Sequence, residues 1–338
     1  MPQLTRSATL PAVHTDARIA TRADASTVSH RAQGDLAERI TRAASKQAYY
    51  TVRFLADRDR ARDAYRAYAY FRWVDDTLDQ GDAGRPARLA FIARQQELVE
   101  RGYCGDWPVE LTAEERMLMA LICGDHEGGS LLRSYIRNMM AVMAFDADRR
   151  WLVVTEQELA DYALRLATAV TDALHYFINH DRAAPASPAR YLPAMGAHIT
   201  HMLRDTYEDV VAGYFNVPCE LLEASGIGPA DVTSEPYRQW VRGRVRLARS
   251  CFAAGAEYLA QVEGLRCRLA GYAYMARFTG VLDAIEREDY RLRPSYPERQ
   301  RLGYGLRMAG AAGASALLPA IAPCCQRLRE ERGADCEG

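Results

Sequence analysis

Apolar residues recur three and four positions apart through most of this chain, between short stretches rich in Gly, Pro and polar residues. That period is helical, because residues i, i+3 and i+4 share one face of a helix. Asp35-Leu-Ala-Glu38 has the form of a capping box and predicts a helix start with Leu36, Ile40, Ala43 and Ala44 inward. Ala56-Asp-Arg-Asp59 predicts a turn, and an uninterrupted helix then runs to Asp79, ended by Gln80-Gly-Asp-Ala-Gly84. Helical periodicity returns over Pro86–Arg101, Ala113–Cys123, Gly129–Phe145 and Glu156–Asn179. After a Pro- and Ala-rich loop from His180 to Pro188 it resumes over Tyr191–Tyr214, Tyr237–Val262 and Cys267–Asp289. Trp151-Leu-Val-Val-Thr155 has strand character but no evident partner. The fold class expected is all-α, a single-domain helical bundle over residues 35–325. Residues 1–34 read as a loosely packed N-terminal tail and 326–338 as a C-terminal tail.

Two of these helices carry aspartates in the same arrangement. Asp75 and Asp79, like Asp205 and Asp209, are four residues apart, so each pair presents two carboxylates on one face. Tyr68, Arg72, Asp75 and Asp79 form one stripe, with Asp76 beside it. His198, His201, Asp205 and Asp209 form the other, with Arg204 beside Asp205. Two such helices facing each other would make a cage of oxygen ligands suited to Mg²⁺, which fills its remaining positions with water and substrate phosphates. Mn²⁺ is the expected substitute.

Composition narrows the classes. With 338 residues, 49% hydrophobic and 26% charged, the chain can bury a sizeable core. A net charge of −1 gives no global field for nucleic acid or an anionic membrane. The eight cysteines include no C-x-x-C, so reduced thiols in a cytoplasmic protein are expected. No apolar leader precedes Gly34. Met308 to Cys325 is uncharged but rich in Ala and Gly and broken by Pro319 and Pro323. That suits a final helix on the core better than a membrane span, with peripheral membrane contact left open. Monomer and homodimer are both compatible with the sequence.

Tyr68-Ala-Tyr-Phe-Arg-Trp-Val-Asp-Asp-Thr-Leu-Asp79 is similar to the "YAFCRxxDDxxD" helix of the squalene/phytoene synthase family. Leu203-Arg-Asp-Thr-Tyr-Glu-Asp209 resembles its "LRDxxED". Met143-Ala-Phe-Asp146 and Val281-Leu-Asp-Ala-Ile-Glu-Arg-Glu-Asp-Tyr290 resemble its "MxxD" and "ILDxIxxxxY", so the likeness runs from about Ser45 to Arg293. The resemblance implies an isoprenoid-synthase-type bundle with a central apolar cavity and an allylic prenyl diphosphate as donor. It implies Asp75, Asp79, Asp205 and Asp209 as metal-binding carboxylates. Arg72 and Arg204 would hold the diphosphate, with Ser45, Gln47 and Tyr68 nearby. Tyr49, Tyr50, Tyr65 and Tyr70 also lie near the first motif in sequence.

The chain departs from the family pattern on the acceptor side. His201 replaces a usual Asn, and Thr168 and Thr171 replace two glycines in the segment from Tyr162 to Thr171. Val211-Ala-Gly-Tyr-Phe-Asn-Val-Pro218 replaces "RGRxYLP", with Val217-Pro218 keeping the frame and Asn216 a candidate substrate contact. These departures favour transfer of the prenyl group to an aromatic acceptor, carbazole- or quinone-like, in secondary metabolism. Head-to-head condensation of two prenyl diphosphates is the alternative, and NADPH is not expected. His201 is a candidate base or diphosphate contact, or a simple stand-in for Asn, whereas His198 reads as structural. Met143, Thr168 and Thr171 are expected at the cavity floor. A third reading is a non-catalytic helical protein or a metal-dependent phosphohydrolase, through His180-Asp181 or a zinc or iron site at His198, His201 and Asp205.

Overall fold

The computed structural model describes residues 34–79, 84–125, 130–179, 182 and 184–296. These residues form a bundle of α-helices: α1 (34–44), α2 (Lys46–Leu55), α3 (Ala61–Asp79), α4 (Arg85–Tyr103), α5 (Ala113–Cys123), α6 (Leu131–Arg149), α7 (Glu156–Ile178), α8 (Leu192–Ala212), α9 (Cys219–Ser225), α10 (Glu235–Gln261) and α11 (Leu265–Arg287). The predicted helix over Met308–Cys325 and the His180-Asp181 pair lie outside the described residues.

Local chemistry sets the boundaries. Thr112 and Thr155 open α5 and α7 with full capping boxes to Glu115 and Glu158. Ser45, Ser130 and Ser234 cap α2, α6 and α10 through their hydroxyls. The Ser45 cap separates α2 from α1. On α1 the buried positions are Gly34, Ala37 and Thr41, with Leu36 and Ile40 half-buried; Ala43 and Ala44, expected inward, are exposed. Helix α6 continues four residues beyond the predicted Phe145, and that extra turn carries Asp146 and Arg149. The 151–155 segment does have a partner: Val154 forms a parallel bridge to Pro218, and Cys219 N–H donates to the Val154 carbonyl at 2.8 Å.

The main core joins α3, α6, α8 and α11 through side chains such as Tyr70, Ile136, Leu203, Leu282 and Ile285, each fully buried. Burying a side chain of this size contributes roughly 1.5–3 kcal/mol. Helix α6 packs along α7, and α8 along α10. The α8–α10 contact is close because Gly196 lies against Phe252 and Gly255 against Pro193; a Cβ at either would come within 2.8 Å of its neighbour. Helix α8 ends at Gly213 in the left-handed conformation, φ 86°. That turn sends Tyr214 and Asn216 back toward α3 and α6. No helix of the described residues is long and apolar enough to cross a membrane.

Candidate active site

Helices α3, α6, α7 and α8 enclose a cavity of about 530 Å³, closed at one side by the 214–216 segment. Its polar wall holds Asp75 and Asp79 from α3, Asp146 from α6, and Asp205, Glu208 and Asp209 from α8. Its apolar wall holds Leu78, Val142, Met143, Leu166 and Met202. The two aspartate pairs, far apart in sequence, thus face one space, as their helical spacing predicts.

The cations of the site are mostly engaged. Arg72 Nη1 donates to Asp75 Oδ2 at 3.2 Å, and Nη2 donates to Asp76. Arg204 forks onto Asp205, both bonds at 2.5 Å, and His201 Nε2 lies 2.8 Å from the same carboxylate. Burial works to raise the pKa of Asp205, but the bonds and charges of Arg204 and His201 outweigh it and hold the carboxyl well below its ordinary range.

At Asp75, Asp209 and Asp146 the neighbouring cations do not outweigh burial. Burial, then the charge of Asp79, pushes Asp75 up to about 6, against the opposing pull of Arg72. Burial, then the charge of Asp205, pushes Asp209 up to about 7, with Arg149 opposing. Burial also raises Asp146. The site therefore holds more negative charge than its own cations neutralise. This donor set, hard oxygens with unrelieved repulsion, fits a divalent cation. Among the described residues no three His, Cys, Asp or Glu side chains converge on one point, so the carboxylates form walls rather than a closed cage. That leaves room for phosphate and water ligands, as Mg²⁺ prefers, and does not assemble the zinc or iron site considered for His198, His201 and Asp205.

Sequence reading missed a network that braces the rim. Arg149 Nε donates to Asp146 Oδ1 at 2.7 Å and Nη1 to Asn216 Oδ1 at 2.8 Å. Asn216 Nδ2 donates in turn to Asp209 Oδ2 at 2.7 Å. Tyr162 Oη donates to Asp146 Oδ2 at 3.0 Å, and Tyr214 Oη to Asp79 Oδ1 at 3.3 Å. The Arg149 guanidinium lies over the rings of Tyr162 and Tyr214, 4.9 and 5.2 Å from their centroids. Arg149 follows an aspartate at i+3, but nothing in the sequence reveals its long-range bond to Asn216.

Of the residues singled out from sequence, Arg72, Asp75, Asp79, Met143, Tyr162, His201, Asp205, Asp209 and Asn216 line the cavity. Ser45, Gln47, Tyr68, Asp76, Arg204, Thr168 and Thr171 lie outside its lining. Ser45 is occupied as the α2 cap, and Gln47 is exposed. The Thr168 hydroxyl donates to the Leu164 carbonyl of its own helix at 2.8 Å. Thr171 borders a separate small pocket with Leu174, His175 and Tyr258. Tyr70 is buried and donates to Gln95 at 3.0 Å, and Tyr65 Oη lies 3.4 Å from the Tyr49 carbonyl. The aromatic faces on the cavity are Tyr162 and Tyr214 instead.

Residues 41–302 match the family model described as squalene/phytoene synthase. Over 96 residues, 27% of the chain, the sequence is 29% identical to a chloroplastic phytoene synthase of Daucus carota and to chloroplastic phytoene synthase 3 of Zea mays. The matched stretch covers only 24% and 22% of those two proteins. Among solved structures, a dehydrosqualene synthase in complex with ligand aligns with a TM-score of 0.66 at 16% identity, covering 84% of this chain and 96% of the other. Squalene synthase HpnC from Alicyclobacillus acidocaldarius aligns with a TM-score of 0.61 at 20% identity, covering 79% and 97%. At such identities the likeness establishes the shared all-α fold of isoprenoid synthases.

Proposed function

The chain belongs to the squalene/phytoene synthase family, and from that premise we propose a divalent-metal-dependent transferase that ionises an allylic prenyl diphosphate and couples it head to head with a second prenyl diphosphate. One observation carries the reading. Carboxylates from three helices share a cavity also lined by apolar side chains, and burial together with their mutual repulsion raises the pKa of Asp75 and Asp209.

Asp75, Asp79, Asp205 and Asp209 would hold Mg²⁺, or Mn²⁺ in its place. Bound there, the cation supplies the positive charge that stabilises the departing diphosphate. Arg72 and Arg149 add fixed positive charge beside the same carboxylates. Tyr162 and Tyr214 put aromatic rings on the cavity, each with the Arg149 guanidinium over it. Val142, Met143, Leu166 and Met202 exclude water that would quench it.

The reasons for preferring an aromatic acceptor weaken against this lining. Thr168 and Thr171 lie off the cavity, so their bulk does not narrow it. Tyr214 and Arg149 supply a tyrosine and a cation beside the segment where the family pattern is altered. The relatives reported above are synthases of phytoene, squalene and dehydrosqualene, which favours condensation. Product analysis with Mg²⁺ and geranyl, farnesyl or geranylgeranyl diphosphate, with and without tricyclic phenols, tests the reading. A hydrocarbon or cyclopropyl diphosphate from prenyl substrate alone is expected. Product formed only with the phenol, heavier by one prenyl unit, overturns head-to-head coupling in favour of aromatic prenylation.

A further inference from the structure

His198 is read from sequence as structural, yet its surroundings do not suit that role. Its side chain is almost fully enclosed, 5% exposed, and among the described residues neither ring nitrogen has a hydrogen-bond partner. A buried polar group left unsatisfied costs about 1–3 kcal/mol. His175, the other buried histidine among the described residues, differs: its Nε2 lies 3.1 Å from Tyr258 Oη. His198 instead lines the cavity, its ring edge-on to Tyr162 with centroids 5.1 Å apart. It shares a stripe of α8 with Met202, Asp205 and Asp209. Two turns separate it from Asp205, about 10 Å along the helix axis. An imidazole at that station is away from the carboxylates and beside the apolar wall of Leu166 and Met202.

We infer that His198 is the catalytic base that ends the reaction, taking the proton lost by the coupled carbocation; the assignment rests on the prenyl coupling proposed above. The C–H bond next to the cationic carbon breaks, and its electron pair becomes the new C=C bond. The proton bonds to the lone-pair nitrogen of His198. Released inorganic diphosphate then takes that proton and restores the neutral ring. No reductant enters the balance, so the product class is an alkene formed by proton loss. Burial, with the charges of His201, Arg149 and Arg244, pushes the imidazole pKa down to about 3. A neutral ring does not repel the cation, and a proton beside a carbocation is acidic enough for even a weak base.

The test uses the full chain with Mg²⁺ and farnesyl or geranylgeranyl diphosphate, native and as H198Q and H198L. The readout is the ratio of proton-loss hydrocarbon to inorganic diphosphate released. That ratio should fall roughly a hundredfold in both variants, within the range for loss of a general base. Water-captured alcohol or cyclopropyl diphosphate should accumulate instead. H198L, which removes an unsatisfied buried group, should melt no lower than the native protein. An unchanged ratio in H198Q, with native coupling intact, sinks the inference alone. Absence of any coupling by the native protein sinks the proposed function and this assignment with it.

Discussion

Asp209→Asn removes a charge that the site tolerates poorly. The Asp209 carboxyl rises from an ordinary 3.8 to about 7, chiefly through burial and then through Asp205. In the unfolded chain it would titrate near 4. Between those values the unfolded state has lost a proton that the folded state keeps, so stability falls as pH rises, by about 1.4 kcal/mol per unit, and levels off above the folded value. From pH 5 to pH 8 the native protein passes through about two units of that range. It should lose roughly 3 kcal/mol that the variant does not lose. The amide oxygen introduced at this position can still accept from Asn216, whose donation now spans 2.7 Å. The melting-temperature advantage of the variant over the native protein should therefore grow by about 6 °C from pH 5 to pH 8 in chelator, at about 2 °C per kcal/mol for a chain of this size. Scanning calorimetry at both values measures it. Adding Mg²⁺ with inorganic diphosphate should raise the native melting temperature and leave the variant nearly unmoved. A variant no more stable than the native protein at pH 8 would refute the repulsion argument, and with it the charge-based case for a cation.

Three further substitutions bear on the cavity and its rim. Met143 lines the apolar wall, so Met143→Ala should shift preference to longer prenyl donors, whereas Thr168→Gly should leave the chain-length profile as it is; competition assays with mixed donors separate them. Gly213→Ala places a methyl group 2.5 Å from the Trp151 ring at a φ of 86°, and should cost roughly 2 kcal/mol or more by urea unfolding, with an unaltered midpoint counting against the packing described.

Helices α3 and α8 are legible in the sequence because their information is local. Four-residue spacing fixes which face Asp75, Asp79, Asp205 and Asp209 share, and two similar faces on apolar helices meet across one core. The cavity floor is not legible for the opposite reason. Whether Thr168 or Leu166 faces the cavity depends on how α7 is rotated against α6 and α8, which one helix's sequence does not encode. The rim is harder still. Tyr214 reaches Asp79 across 135 positions of chain only because Gly213 turns the backbone there. Arg149 finds Asn216 only because α6 runs one turn past Phe145. His198 could be placed on the right stripe of α8, but its lack of a partner is a property of the packed interior.

The clasp between residues 151–154 and 213–219 has a consequence for how such a protein can change over generations. Trp151 N–H donates to the Gly213 carbonyl at 2.7 Å, and Val154 pairs with the Pro218–Cys219 strip. The connection leaving α6 and the one leaving α8 are thus fastened to each other, and the Arg149–Asn216 bond ties the residue that braces Asp146 to the residue that braces Asp209. A chimaera that imports 143–162 from a relative while keeping its own 205–219 would inherit half a clasp, and a swap of both segments together would inherit a working one. Selection acting on the acceptor side therefore meets a paired unit, in which a change on one strip is retained when its counterpart changes as well.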